Sequence, residues 1–73
     1  MQGSPAGKER KMKEFIIKVD VAKGNYEYET FTWRTKVDNW EQASARAVSF
    51  ADMALKESQG INIDSIIIRE VEA

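Results

Sequence analysis

The chain contains neither histidine nor cysteine, and each absence closes off a type of chemistry. Without histidine it lacks the commonest general base and metal ligand, and without cysteine it has no reactive thiol. Carboxylates, lysines, tyrosines and hydroxyls are all that remain. Long hydrophobic runs are also missing. The longest are three residues, as in Ile66-Ile67-Ile68, against the ~20 needed to span a bilayer, so no membrane span is expected. The opening dozen residues, MQGSPAGKERKM, hold no apolar stretch of the secretory kind. With no cysteine to suggest an oxidising compartment, a cytoplasmic location is the expectation.

What is present describes a small folded domain. At 73 residues, 42% of them hydrophobic and 32% charged, the composition is that of a globular chain. A chain this short buries only roughly 60% of the surface it exposes when unfolded, so its core is thin. The net charge of -1 is unevenly spread. Residues 1–11 hold Lys8, Arg10 and Lys11 against Glu9, which leaves residues 12–73 with a net charge of -3. That balance argues against a protein that grips nucleic acid through bulk charge. Gly3, Ser4, Pro5, Ala6 and Gly7 sustain neither helix nor strand, so residues 1–11 read as a disordered lead-in and 12–73 as one domain.

Within that domain the hydrophobic period alternates between two and 3.6. Phe15, Ile17, Val19 and Val21 alternate with Ile16, Lys18 and Asp20, which predicts a strand over 14–21. Gly24-Asn25 then reads as a tight hairpin turn, leading into a second strand from Tyr26 to about Val37. Asp38 and Glu41 have the spacing of a capping box and open a helix. Trp40, Ala43, Ala47, Ala51, Ala54 and Ser58 form its central stripe, flanked by Val48 and Leu55 on one side and Phe50 on the other. Gly60 stands where a left-handed C-cap is usual, and residues 61–71 make a third strand. A stripe of alanines lets a helix lie close against a sheet. The reading is α+β: a β-β-α-β chain with a three-stranded antiparallel sheet in order 2-1-3 and one helix on one face, the crossover taken as right-handed.

The stretch Tyr26–Lys36 carries aromatic rings on both faces. If Phe15, Ile17, Val19 and Val21 lie under the helix, Phe31 and Trp33 join them, with Ile66 and Ile68 from the third strand, although the opposite register of that strand fits nearly as well. The opposite face then presents Ile16, Lys18, Tyr26, Tyr28, Arg34, Lys36, Ile67 and Arg69, together with Ile63, Ser65 and Val71, against a single acid, Asp20. One helix cannot cover both sides of a sheet. An apolar and basic face left bare is a candidate association surface, although a solvated face rich in Thr, Tyr, Lys and Arg is also ordinary for antiparallel sheets.

Other constellations are weaker. Glu27 and Glu29 share a strand face, but nothing nearby completes a metal or acid–base site. Asn62-Ile63-Asp64 lacks the spacing of a calcium loop, and Phe50 with Met53 makes at most a small patch on the helix flank. No catalytic residue, cofactor or metal is expected. The expectation is a non-enzymatic interaction module binding a protein, either another chain or itself as a homodimer. A nucleic-acid binder stacking bases on Tyr26 and Tyr28 and pairing phosphates with Arg34, Lys36 and Arg69 is the alternative.

Met12-Lys13-Glu14-Phe15-Ile16-Ile17-Lys18-Val19 and the helix opening Asp38-Asn39-Trp40-Glu41-Gln42-Ala43, with Ala47 after it, resemble small β-β-α-β proteins of bacteriophages and mobile elements. The resemblance spans 12–73, although Trp40 stands where those proteins have a polar residue. It implies an accessory role, such as modulating a host or phage protein, and transfers no functional residue.

Overall fold

The computed structural model describes residues 12–71, so the predicted lead-in lies outside the described residues. Strand β1 runs Lys13–Gly24, β2 Glu27–Val37, helix α1 Trp40–Ser58 and β3 Asn62–Glu70. Both β2 and β3 pair antiparallel with β1, giving the order β2-β1-β3. The most hydrophobic strand is therefore central.

Register decides which residues share a face. Ile17 pairs with Trp33 on one side and Ile68 on the other, and Val19 with Phe31 and Ile66. All of these point toward α1. Phe15, Ile17, Val19 and Val21 are fully buried beneath the alanine stripe, and Ala43, Ala47, Ala51, Ala54 and Ser58 are buried with them. The small side chains bring the helix axis close, and larger rings seal its β2 flank. Trp33 stacks on Phe50 at 4.7 Å between centroids and on Phe31 at 5.9 Å.

The structure departs from the sequence reading at element ends, each time for a local reason. The hairpin turn lies one residue later than predicted: Asn25 and Tyr26, not Gly24 and Asn25, are its central pair. Their φ values of 52° and 65° are the positive pair that a two-residue type I′ turn needs. Lys23 is squeezed out as a bulge before the Gly24–Glu27 pair, and Tyr26 is consequently a turn residue, not the first residue of β2.

The N-cap also moves by one. Asn39 Oδ1 accepts the Gln42 N–H at 2.9 Å, and Gln42 Oε1 accepts the Asp38 N–H at 2.8 Å. The overlapping Asp38/Glu41 spacing loses to this arrangement, which makes Trp40 the first helical residue and sets its ring edge-on to Phe15 at 4.9 Å. At the far end Gln59, not Gly60, takes the left-handed conformation, with φ 56° and ψ 39°. Val48, predicted to help seal the helix edge, is 69% exposed.

Ile63, predicted outward, packs against the core. The pairing of β1 with β3 shifts between Asp20/Ser65 and Val21/Ile63, leaving Asp64 as an extra residue. An extra residue reverses the facing of everything beyond it, which turns Ile63 inward while Ile67 and Arg69 stay out.

Tyrosine at positive φ is costly where glycine is free. Tyr26→Gly is expected to stabilise the domain by roughly 0.5–1 kcal/mol, after allowing for glycine's greater unfolded-state entropy. Urea denaturation at neutral pH measures it, and a lower midpoint would contradict the turn assignment.

Candidate functional site

The face of the sheet away from α1 is built in cross-strand rows. From one end they run Lys36–Glu14, then Arg34–Ile16–Arg69, Thr32–Lys18–Ile67, Thr30–Asp20–Ser65 and Tyr28–Ala22–Asn62. Seven of the eight predicted residues come together here: Ile16, Lys18, Tyr28, Arg34, Lys36, Ile67 and Arg69. Tyr26 does not join them. It projects from the hairpin tip, 95% exposed, beyond the strand face on which it was predicted.

Ile16 lies between two arginines on the central strand, and Ile67, half exposed, sits beside Lys18. The pattern is an apolar centre fringed by cations, with no element of the described residues packed over it. Lys18, Arg34, Lys36 and Arg69 face two carboxylates, Glu14 and Asp20. The strip is therefore positive in a domain that is negative elsewhere.

Two features of this face were not anticipated. First, Glu14, at the start of the predicted strand, shares this face, and its Oε2 meets Arg34 Nε at 2.6 Å. Asp20 is thus not the face's only acid, and Arg34 is held in place rather than freely mobile. Such an exposed pair contributes at most about 1 kcal/mol, but it orients the guanidinium beside Ile16.

Second, Asp20 ties the three strands together. Thr30 Oγ1 donates to Asp20 Oδ1 at 2.7 Å, and Ser65 Oγ donates to Asp20 Oδ2 at 3.1 Å. Each carboxylate oxygen is satisfied by a different neighbouring strand. The hydrogen bond from Thr30, and then that from Ser65, hold the carboxyl below the ordinary aspartate pKa; partial desolvation opposes this and the Lys18 charge adds to it. The hydroxyls of Thr30 and Ser65 sit directly opposite Asp20 in the register, information that alternation alone does not carry.

The pH consequence follows by linkage. Because the folded carboxyl is the stronger acid, its contribution to stability is present above the unfolded aspartate pKa and lost as pH falls through the lowered folded value. Asp20→Asn is expected to flatten the acid side of the stability–pH curve and to lower the neutral plateau, since an amide oxygen accepts from the hydroxyls less strongly than a carboxylate does. Urea midpoints across the acid range, in wild type and variant, test this. A variant whose acid slope equals that of wild type would remove Asp20 from the account.

At the corner of the face, Lys36 also lines an open groove of about 410 Å³ between the end of β2 and the first turns of α1, with Met12, Val37, Gln42, Arg46 and Ser49. Arg46 Nη1 donates to Thr35 Oγ1 there at 3.2 Å. Glu29, considered above with Glu27, instead forms an ion pair with Lys23 at 3.3 Å. Among the described residues no three carboxylates converge in a way that would hold a metal ion, and no helix is long and apolar enough to cross a membrane. No protein family, curated protein or solved structure matches the chain.

Proposed function

We propose that the protein is a small non-enzymatic interaction module whose uncovered sheet face binds an acidic surface on another protein. One observation carries this reading: the contiguous strip in which Ile16 lies between Arg34 and Arg69, and Lys18 between Thr32 and Ile67. Apolar centres ringed by oriented cations suit a partner that brings carboxylates around an apolar group. The charge on the strip disfavours a second copy as its occupant, because face-to-face packing would set cations against cations. The likeness to small phage β-β-α-β proteins is in keeping with an accessory role of this kind.

The test is affinity purification of the tagged full chain from cells of its natural host, side by side with Lys18→Glu/Arg34→Glu. The reading expects a protein recovered with wild type and absent with the variant, at unchanged circular dichroism. Identical recoveries would refute it. The run of cations Lys18, Arg34, Lys36 and Arg69 along the face also favours a second reading, in which the face takes a polyanion. In that case a short oligonucleotide is shifted by wild type at low salt, the shift weakens steeply as salt rises, and the same double variant abolishes it.

A further inference from the structure

We infer that the edge of β3, unpaired among the described residues, is a self-association site, at which a second copy of this chain adds its own β3 antiparallel to form a continuous six-stranded sheet. This concerns a different surface from the proposed partner face and stands independently of it.

The backbone supplies the first argument. The Val71 N–H donates to Glu14 O at 2.8 Å, continuing the register in which Phe15 faces Glu70. In an antiparallel ladder, hydrogen-bonded and non-hydrogen-bonded pairs alternate. Arg69, Ile67 and Ser65 therefore spend their backbone groups on β1, while those of Ile66, Ile68 and Glu70 point away from the sheet. An edge of this kind is normally blunted by charge, proline or a bulge. The β2 edge is guarded in this way, with Glu27, Glu29, Arg34 and Lys36 along it. The stretch Ser65-Ile66-Ile67-Ile68 carries no charge at all, and the Asp64 bulge lies at one end of it rather than in its middle.

The side chains supply the second argument. Ile66 is 41% exposed and Ile67 50%, one on each side of the sheet at this edge. Above them, α1 turns its second flank. Phe50 and Arg46 lie over β2, so at about 100° per residue Val48 and Leu55 lie on the opposite flank, over β3. Val48 is the most exposed large apolar residue of the helix. A strand added at β3 covers all of these together and sets the two helices flank to flank, which adds apolar contact that a bare strand edge would not supply.

A two-fold axis at Ile67 satisfies the facing rule, since residues paired across it lie on the same side of the sheet. Ile66 then pairs with Ile68 of the second copy, each such pair exchanging two N–H···O bonds. Ile67 meets its own copy, and Arg69 of the second copy comes beside Ser65, whose hydroxyl already donates to Asp20. Arg69 of each copy thus approaches Asp20 of the other across the join, while Glu70 comes opposite the bulged Asp64 only at its two ends.

The test is sedimentation equilibrium of the full chain, with Ile66→Pro and Ile66→Lys. Proline at 66 removes an edge donor that the β1–β3 ladder does not use, a position where strands tolerate it. Wild type is expected to approach twice 8.3 kDa as concentration rises, and either variant to remain at 8.3 kDa with native circular dichroism. If the proline variant does not fold, Ile66→Lys decides alone. A wild type that stays monomeric up to about 1 mM overturns the proposal, as does a dimer that survives Ile66→Lys. Lys18→Glu/Arg34→Glu is expected to leave the mass unchanged, so the partner-face reading and this one fail separately.

Discussion

Gly60→Ala is expected to cost about 2–3 kcal/mol, the upper part of the range for an overpacked interior. A Cβ at this position would lie 2.2 Å from Val21 Cγ1, 3.0 Å from Ser58 Oγ and 3.2 Å from Ala22 O. Val21 is fully buried and cannot swing aside, and Ala22 O is backbone. The strain must therefore be relieved by moving residues 60–61 off β1. That motion breaks the Ile61 N–H to Ala22 O bond of 2.8 Å, which is the first tie between the helix exit and the sheet. For a domain of this size each kilocalorie per mole lowers the melting temperature by roughly 4–8 °C, so a fall of about 10–20 °C should appear in a thermal scan.

The role of Gly60 is close approach, not a left-handed φ, and the two readings separate cleanly. If Gly60 were the left-handed cap, Asn would rescue most of the loss, since it tolerates that conformation. On the steric account Gly60→Asn is at least as damaging as Gly60→Ala. The converse substitution, Gln59→Gly, is expected to stabilise by about 0.5–1 kcal/mol, because Gln59 holds the left-handed position that glycine occupies without strain. A protein in which Gly60→Asn is harmless and Gln59→Gly is destabilising would reverse this assignment.

The same residues show how far the sequence can be read. The face of β1 that meets the helix and the alanine stripe follow from periodicity, because each involves many residues repeating one signal, and strand order follows from the handedness of the crossover. Single-residue choices do not. Asp38/Glu41 and Asn39/Gln42 have the same spacing, and what selects the second is the seating of Trp40 against Phe15, a tertiary contact. The Asp64 bulge, which turns Ile63 inward, has no local signature, because alternation reads equally well on either side of it. The Asp20–Thr30–Ser65 triad likewise needs the register of three strands at once. The bare face was legible as a set of residue types. Its organisation, with Arg34 held by Glu14 and Asp20 bridging both neighbours, depends on which residues stand opposite one another.

At the other end of the core, Phe15→Ala is expected to remove about 3–5 kcal/mol, a large share of the 5–15 kcal/mol that holds a typical domain together. Phe15 is fully buried, with Val37, Ala43 and Ile68 around it and the Trp40 ring set edge-on at 76°. Removing the ring empties the space beneath the first helical turn, and the alanines there are too short to fill it. The core has two clusters, one around Phe15 and one around Ile17, Val19 and Val21, and Ile68 packs against both. Each cluster has its own tryptophan: Trp40 on the first and Trp33, stacked with Phe50, on the second. Because Ile68 and the continuous β1 strand join the clusters, unfolding is expected to be cooperative. In Trp33→Phe and Trp40→Phe backgrounds the remaining fluorophores should report coincident urea midpoints, and Phe15→Ala should shift both together. A Trp33 signal that persisted after the Trp40 signal had gone would show the clusters to be separate units. The outcome bears on the proposed binding face, because Ile16, Lys18 and Asp20 alternate along one strand with Phe15, Ile17 and Val19. No separate scaffold holds that face, so it keeps its geometry only while the core behind it is intact.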